Sequence, residues 1–191
     1  MKQRRRQDLE SLLAQPTIRE ARPCDGCAQP CGCSNRSTTC SCGCSPRCSH
    51  AAAQLSSEGE RYPIEPYVLP LVFELNALRV VQPCWSCEGH ADAKGDVQNP
   101  PRIWFYCASV VYPQLLLEHV TQLAARGELQ ARWRVTVCSH SEDKVSTTFS
   151  LEPAASPSSS LAVLQSDLNV IAAELGSRLR DKAQHALNEM E

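Results

Sequence analysis

The sequence has no uninterrupted apolar run long enough to cross a bilayer, which takes about 20 residues. We therefore expect no membrane-spanning helix and no membrane partner. The basic start of the chain, Lys2 to Arg6, is followed by no apolar stretch of the kind that a secretory signal needs. We accordingly expect a cytoplasmic protein whose thiols stay reduced.

Several signature motifs are also missing. The chain has no G-x-G-x-x-G, no Walker loop, no G-x-S-x-G and no H-E-x-x-H, which removes support for the common nucleotide-binding proteins and hydrolases. A net charge of -2 gives no overall attraction to nucleic acid or to anionic membranes. These absences favour a protein that is not an enzyme, although they leave that question open.

Residues 23–50 lack every large core-forming residue, with no Val, Leu, Ile, Met, Phe, Tyr or Trp. Such a segment cannot fold by burying a hydrophobic core. It does contain eight of the twelve cysteines and one histidine, in the pattern C-x2-C-x3-C-x-C-x6-C-x-C-x-C-x3-C-x-H. We predict that metal ions fold it, with ligands drawn from Cys24, Cys27, Cys31, Cys33, Cys40, Cys42, Cys44, Cys48 and His50.

Zinc is the metal that this pattern favours. Eight thiolates satisfy two tetrahedral zinc ions, and bridging sulfurs with His50 allow a third. Disulfides fit less well because C-x-C pairs close small, strained rings. An iron-sulfur cluster and Cu(I) are the alternatives, since both also take thiolates. In spacing, the segment from Cys24 to His50 resembles metallothioneins and cysteine-rich zinc modules, and this resemblance implies metal-cluster chemistry.

A second group of soft ligands follows a predicted strand at Cys84-x2-Cys87-x2-His90. Three protein ligands with an open fourth position are typical of catalytic zinc sites. The sheet is expected to bring further ligands to the same edge, which gives a possible second metal site of Cys84, Cys87, His90, Cys107, Cys138 and His140. The alternative is that Cys107 and Cys138 are small buried core residues.

The same loop offers candidate catalytic residues. Glu88 and His90 flank Cys87 closely enough to activate a cysteine nucleophile or to form an acid/base pair, because a neighbouring imidazolium lowers the pKa of a thiol. Cys87, Glu88 and His90 are therefore the residues through which an enzyme of this sequence would act.

From Tyr62 onward the apolar pattern is that of an ordinary core, and it predicts an α+β fold with a small, mostly antiparallel sheet covered by helices. The irregular cysteine-rich segment precedes this domain, and a long amphipathic helix ends the chain. Helices are predicted over 65–78, 111–126 and 161–187, and strands over 79–84, 102–107, 130–138 and 144–151. The predicted divisions are a basic, solvated segment 1–22, a metal module 23–50, a linker 51–61, the α+β domain 62–152, a Ser/Pro linker 153–160 and the helix 161–191.

These observations predict a cytoplasmic metal-binding protein that acts as a sensor, a carrier or a docking module for a protein partner. The alternative is a metal- or thiol-dependent enzyme with the cysteine cluster as an accessory. A nucleic-acid adaptor is the third hypothesis, because residues 1–50 carry a charge of +4 against -6 in the remainder. The leucine stripe of the last helix packs into the core or forms a homodimer seam.

Overall fold

The computed structural model describes residues 2–15, 55–56, 58, 61–140, 147–154 and 159–190, with only the backbone described at 139 and 140. Within these ranges the helices are α1 Lys2–Leu13, α2 Leu69–Ala77, α3 Val111–Ala125, α4 Leu161–Ala172 and α5 Leu175–Asn188. The strands are β1 Val81–Cys87, β2 His90–Ala91, β3 Val97–Asn99, β4 Arg102–Cys107, β5 Trp133–His140 and β6 Thr147–Pro153. None of the described helices is both long enough and apolar enough to cross a membrane.

The main sheet has four antiparallel strands in the order β1-β4-β6-β5, and β2 pairs with β3 in a separate ladder. This arrangement confirms the predicted α+β class with a small antiparallel sheet. Along β4, Ile103 and Phe105 are fully buried in the core that the helices share, whereas Tyr106 on the opposite face is exposed. We call the face that bears Arg102, Trp104 and Tyr106 the outer face.

Strand β1 extends further than the sequence predicted. We predicted a strand that ends at residue 84, but pairing with β4 continues to Cys87. Pro83 is tolerated because β1 is an edge strand, and the register shifts between Pro83 and Trp85. Beyond the shift, Trp85 contacts Trp104 on the outer face, with ring centroids 4.9 Å apart.

The β2–β3 hairpin lies between β1 and β4, where the sequence predicted no strand. Asp92 makes this turn, because its Oδ1 accepts hydrogen bonds from the backbone N–H groups of Lys94 at 2.8 Å and Asp96 at 3.0 Å. An Asp side chain that accepts hydrogen bonds from the backbone N–H groups just after it favours a tight turn. The two short strands pair on either side of this turn.

The C-terminal segment forms two helices instead of the single helix expected. The break falls at Ala173, which is extended, and Glu174, which has a left-handed φ of 57°. An unbroken helix over 161–187 would be about 40 Å long, too long for a small core to cover. The break instead lets the predicted stripe stay buried within this chain along both helices, at Leu164, Leu168, Ile171, Leu175 and Leu179.

The N-terminal segment also differs from the solvated terminus that we expected. It begins with α1, whose Leu9 and Leu12 are 0% and 1% exposed and belong to the core. Arg180 of α5 fixes the end of α1 by donating hydrogen bonds to the carbonyl oxygens of Leu12 at 2.9 Å and Gln15 at 2.8 Å. The sequence did not predict the burial of Leu9 and Leu12, because the start of the chain is basic and only one face of α1 is apolar.

Asp167 of α4 joins the helical layer to β5. It is 1% exposed, and its carboxylate accepts hydrogen bonds from the N–H of Gln130 at 3.0 Å, the N–H of Ala131 at 2.9 Å and Nε1 of Trp133 at 3.0 Å. The bonds compensate for the cost of burying a charged side chain.

We expect Asp167→Ala to lower the free energy of unfolding by about 3 kcal/mol, because it leaves three donors without their acceptor. Urea denaturation measures this loss. The control is Asp181→Ala, at an exposed position of α5. Equal stabilities of the two variants would contradict the assigned role of Asp167.

Glu74 of α2 should make stability depend on pH. Burial raises the pKa of its carboxyl from 4.5 to about 7, and a hydrogen bond from the backbone of Gly176 opposes part of the rise. Because the native pKa is the higher one, the native state holds the proton more tightly than the unfolded chain does. The resulting contribution to stability is therefore present below pH 4.5 and is lost as the pH rises through about 7.

We expect Glu74→Gln, which cannot ionise, to be more stable than the native protein above that range by about 1 kcal/mol, a value reduced for solvent screening. Below pH 4.5 the advantage should disappear. Chemical denaturation across this pH range measures the effect. Parallel pH profiles for the two proteins would show that Glu74 does not contribute.

Candidate metal centre

Three side chains with metal-binding atoms meet where β1 turns into β2. The Sγ of Cys87, a carboxylate oxygen of Glu65 and an imidazole nitrogen of His90 all lie within 4.8 Å of one another. Glu65 comes from the segment before α2, Cys87 ends β1 and His90 begins β2. Within the described residues, this is the one group of three or more such side chains close enough to share an ion.

Two carboxylates tie the segment before α2 to the β1–β2 turn. The Oε2 of Glu65 accepts a hydrogen bond from the N–H of Glu88 at 2.7 Å, and the Oε2 of Glu88 accepts one from the N–H of Tyr67 at 2.8 Å. The second oxygen of Glu65, Oε1, lies 3.3 Å from Nε2 of His90. Hydrogen bonds to a carboxylate in this way orient it before an ion binds.

The turn itself is packed so tightly that it requires glycine. Gly89 has a φ of +87°, and a Cβ there would lie 2.7 Å from Cδ1 of Leu161 and 2.8 Å from Cδ of Pro101. Nε2 of Gln165 in α4 also donates a hydrogen bond to the carbonyl oxygen of Glu88 at 3.2 Å. The start of α4 therefore also holds the turn, through Leu161 and Gln165.

The surroundings keep the Cys87 thiol protonated when no cation is bound. Burial raises its pKa, and the Glu65 and Glu88 carboxylates raise it further, while the Gly89 N–H and the Arg102 guanidinium lower it. A thiol with a raised pKa is a poor nucleophile at neutral pH. A divalent cation would reverse the balance, because it binds the thiolate directly.

The donor set fits zinc. Thiolate, imidazole and carboxylate are its usual protein ligands, and donors around a tetrahedral zinc ion are about 3.5 Å apart. The side chains of His90 and Glu65 are 53% and 34% exposed, so both have room to close on an ion beside the buried Cys87. Three protein ligands leave the fourth position for water or another molecule.

Of the six residues predicted for this site, the structure brings Cys87 and His90 together. Cys84 falls in the bulge of β1, where it is exposed and its thiol hydrogen-bonds with the Tyr106 side chain, and it does not join the group. C-x2-C spacing places two sulfurs on one ion when the chain turns between them, but an extended strand separates them.

The structure does not bring Cys107 or Cys138 to Cys87. Cys107 lies five residues along β4 from the partner of Cys87, a separation of about 16 Å. Its buried thiol donates to the carbonyl oxygen of Ser109 at 3.3 Å, and burial raises its pKa to about 11. This confirms the alternative of a core cysteine for Cys107, whereas Cys138 is exposed and not part of the core.

His140 also belongs to the far end of the sheet. Its backbone pairs with Thr147, which in turn pairs with Cys107. The predicted ligands from Cys24 to His50 lie outside the described residues.

Glu65 is the member of this group that the sequence did not predict. It stands 22 positions before Cys87 and has no metal-ligand spacing with it. Only the chain reversal through α2 and β1 places the two together. Glu88, predicted as an acid/base residue, instead uses its carboxylate to hold the Tyr67 N–H.

Comparison of the chain with protein-family models, curated proteins and solved structures found no match.

We expect Gly89→Ala to cost about 2 kcal/mol more stability than Gly95→Ala, because only the first adds a steric clash. Both glycines have a left-handed φ, +87° and +89°, but a Cβ at Gly95 meets nothing within 4 Å. Thermal or urea unfolding of the two variants separates backbone strain from packing. Equal losses would mean that the turn is not tightly packed.

Proposed function

We propose that this protein is a zinc-binding protein in which Glu65, Cys87 and His90 hold one ion at the β1–β2 turn. The observation that carries the proposal is the approach of their sulfur, nitrogen and oxygen atoms to within 4.8 Å of one another. A zinc ion between Nε2 of His90 and Oε1 of Glu65 would replace the proton that these atoms share when the imidazole is charged.

The electrostatics of the turn support a cation. Glu65 and Glu88 both place negative charge near the Cys87 thiol. Without a cation, thiolate formation adds a further negative charge to a partly dehydrated site, which is unfavourable. With zinc bound, the thiolate and the Glu65 carboxylate balance the two positive charges of the ion.

We extend the proposal to the cysteine-rich segment, whose ligands from Cys24 to His50 would bind further zinc ions. The protein would then work in the cytoplasm as a metal sensor, a carrier or a docking module for a protein partner. Its four described cysteines, Cys84, Cys87, Cys107 and Cys138, are free thiols, which agrees with a reducing compartment.

The enzyme hypothesis receives less support from the same turn. A cysteine nucleophile needs a lowered thiol pKa, whereas that of Cys87 is raised. The Glu88 carboxylate is also engaged with the Tyr67 N–H. Both observations suit a ligand and its supporting contacts better than a catalytic pair.

The test is the metal content of variants of the full chain, purified without oxygen and measured by elemental mass spectrometry. We expect Cys87→Ser to lower the zinc content by about one ion per chain, since oxygen is a poor substitute for a zinc-bound thiolate. Cys84→Ser is the matched control, because Cys84 lies three residues away in the same strand but outside the group. Equal metal contents in the native protein and Cys87→Ser would refute the proposed site.

A second variant separates this site from the cysteine-rich segment. Replacing Cys40, Cys42 and Cys44 with serine should lower the metal content and leave the ion that depends on Cys87 in place. Brown colour with acid-labile sulfide in the native protein would instead assign an iron-sulfur cluster to that segment.

A further inference from the structure

Arg102 lies beside the candidate metal centre and forms no ion pair among the described residues. It is the direct partner of Cys87 in the antiparallel ladder, and its positive charge acts on the Cys87 thiol. Among the described residues, no carboxylate lies within ion-pair distance of its guanidinium. Arg134 on β5, in contrast, is paired with Glu152 at 2.8 Å.

The Arg102 guanidinium favours an oxyanion as the fourth ligand of a bound zinc ion. A zinc ion with one thiolate, one carboxylate and a neutral imidazole has no net charge, and the opposite charges of Arg102 and Glu88 both act on the Cys87 thiol. The preference for an anion therefore rests on the guanidinium, which forms no ion pair among the described residues. The Glu88 carboxylate accepts the Tyr67 N–H and is not bonded to Arg102. A guanidinium binds planar oxyanions with two parallel hydrogen bonds, and carboxylates suit both it and zinc.

The next pair along the same face is aromatic. Side chains alternate along a strand, so Trp85 and Trp104 share the outer face with Cys87 and Arg102, one step further along the ladder. The distance between these two rows is about 7 Å, the length of a small aromatic acid. Trp85 is 46% exposed, which leaves part of its ring free to stack.

We propose that the zinc-loaded centre binds a small aromatic carboxylate, with the carboxylate between the metal and Arg102 and the ring against Trp85. This inference rests on the proposed zinc site, because the metal supplies one of the two contacts to the carboxylate. It adds the chemical class of the molecule that binds at the metal, which Glu65, Cys87 and His90 alone do not specify.

The test uses the full chain loaded with Co²⁺, whose visible absorption reports changes in coordination. Benzoate and acetate are the two probes, and each is titrated into the native protein and into Cys87→Ser. We expect both anions to change the spectrum of the native protein saturably, with benzoate half-saturating at about a tenfold lower concentration because its ring stacks on Trp85. Four-thiolate sites elsewhere in the chain have no open position and should not respond.

Two substitutions assign the contacts. Arg102→Gln should weaken both anions about tenfold or more, whereas Arg134→Gln, on the same sheet but paired with Glu152, should not. Trp85→Ala should remove the preference for benzoate and leave acetate unchanged. Arg102→Lys, which keeps the charge, should recover part of the affinity and serves if the glutamine variant folds poorly.

The outcomes distinguish the two proposals. If Cys87→Ser has the same cobalt-thiolate absorption as the native protein, the metal site itself fails and the anion site fails with it. If that absorption depends on Cys87 but neither anion changes it, or Arg102→Gln binds both as the native protein does, only the anion site is overturned. Equal affinities for benzoate and acetate would overturn the stacking contact.

Discussion

The register between β1 and β4 decides where the side chains of the candidate site lie. Pairing Cys87 with Arg102 and Trp85 with Trp104 puts a thiol, a guanidinium and two indoles on one face of the sheet. A shift of one residue would turn these side chains toward the helices and move Ile103 and Phe105 out of the core. The core therefore fixes the register, and the register fixes the site.

The turn after β1 depends on a small number of polar contacts and on close packing at Gly89. Glu65 and Glu88 each accept a backbone N–H from the opposite segment, and Gly89 leaves no space between Leu161 and Pro101. The same contacts that hold the turn also aim the free oxygen of Glu65 at His90. The contacts that support the turn therefore also position the Glu65 carboxylate. In this way a binding site can keep its geometry before an ion binds.

The sequence predicted features that depend on interactions between neighbouring residues, and it missed features that depend on contacts between distant residues. The bounds of β4 and α3 depend on local periodicity and were predicted to within a residue. The break at Glu174 and the burial of Leu9 on α1 depend on packing between distant segments, and both were missed. In the site, Cys87 and His90 were predicted because they are neighbours in sequence, whereas Glu65 and Arg102 join them only through the turns of the chain.

The amino-acid sequence by itself determined the α+β class, the alternation that buries one face of β4 and the division between a core-forming domain and a segment with cysteines but no core residues. These properties follow from composition and from the periodicity of short stretches of sequence. Neither depends on contacts between distant residues. Tertiary structure alone decided which of the scattered ligands meet. Two side chains 22 positions apart reach a distance suited to one ion only after α2 has packed on the sheet, and that distance is set by the burial of other residues.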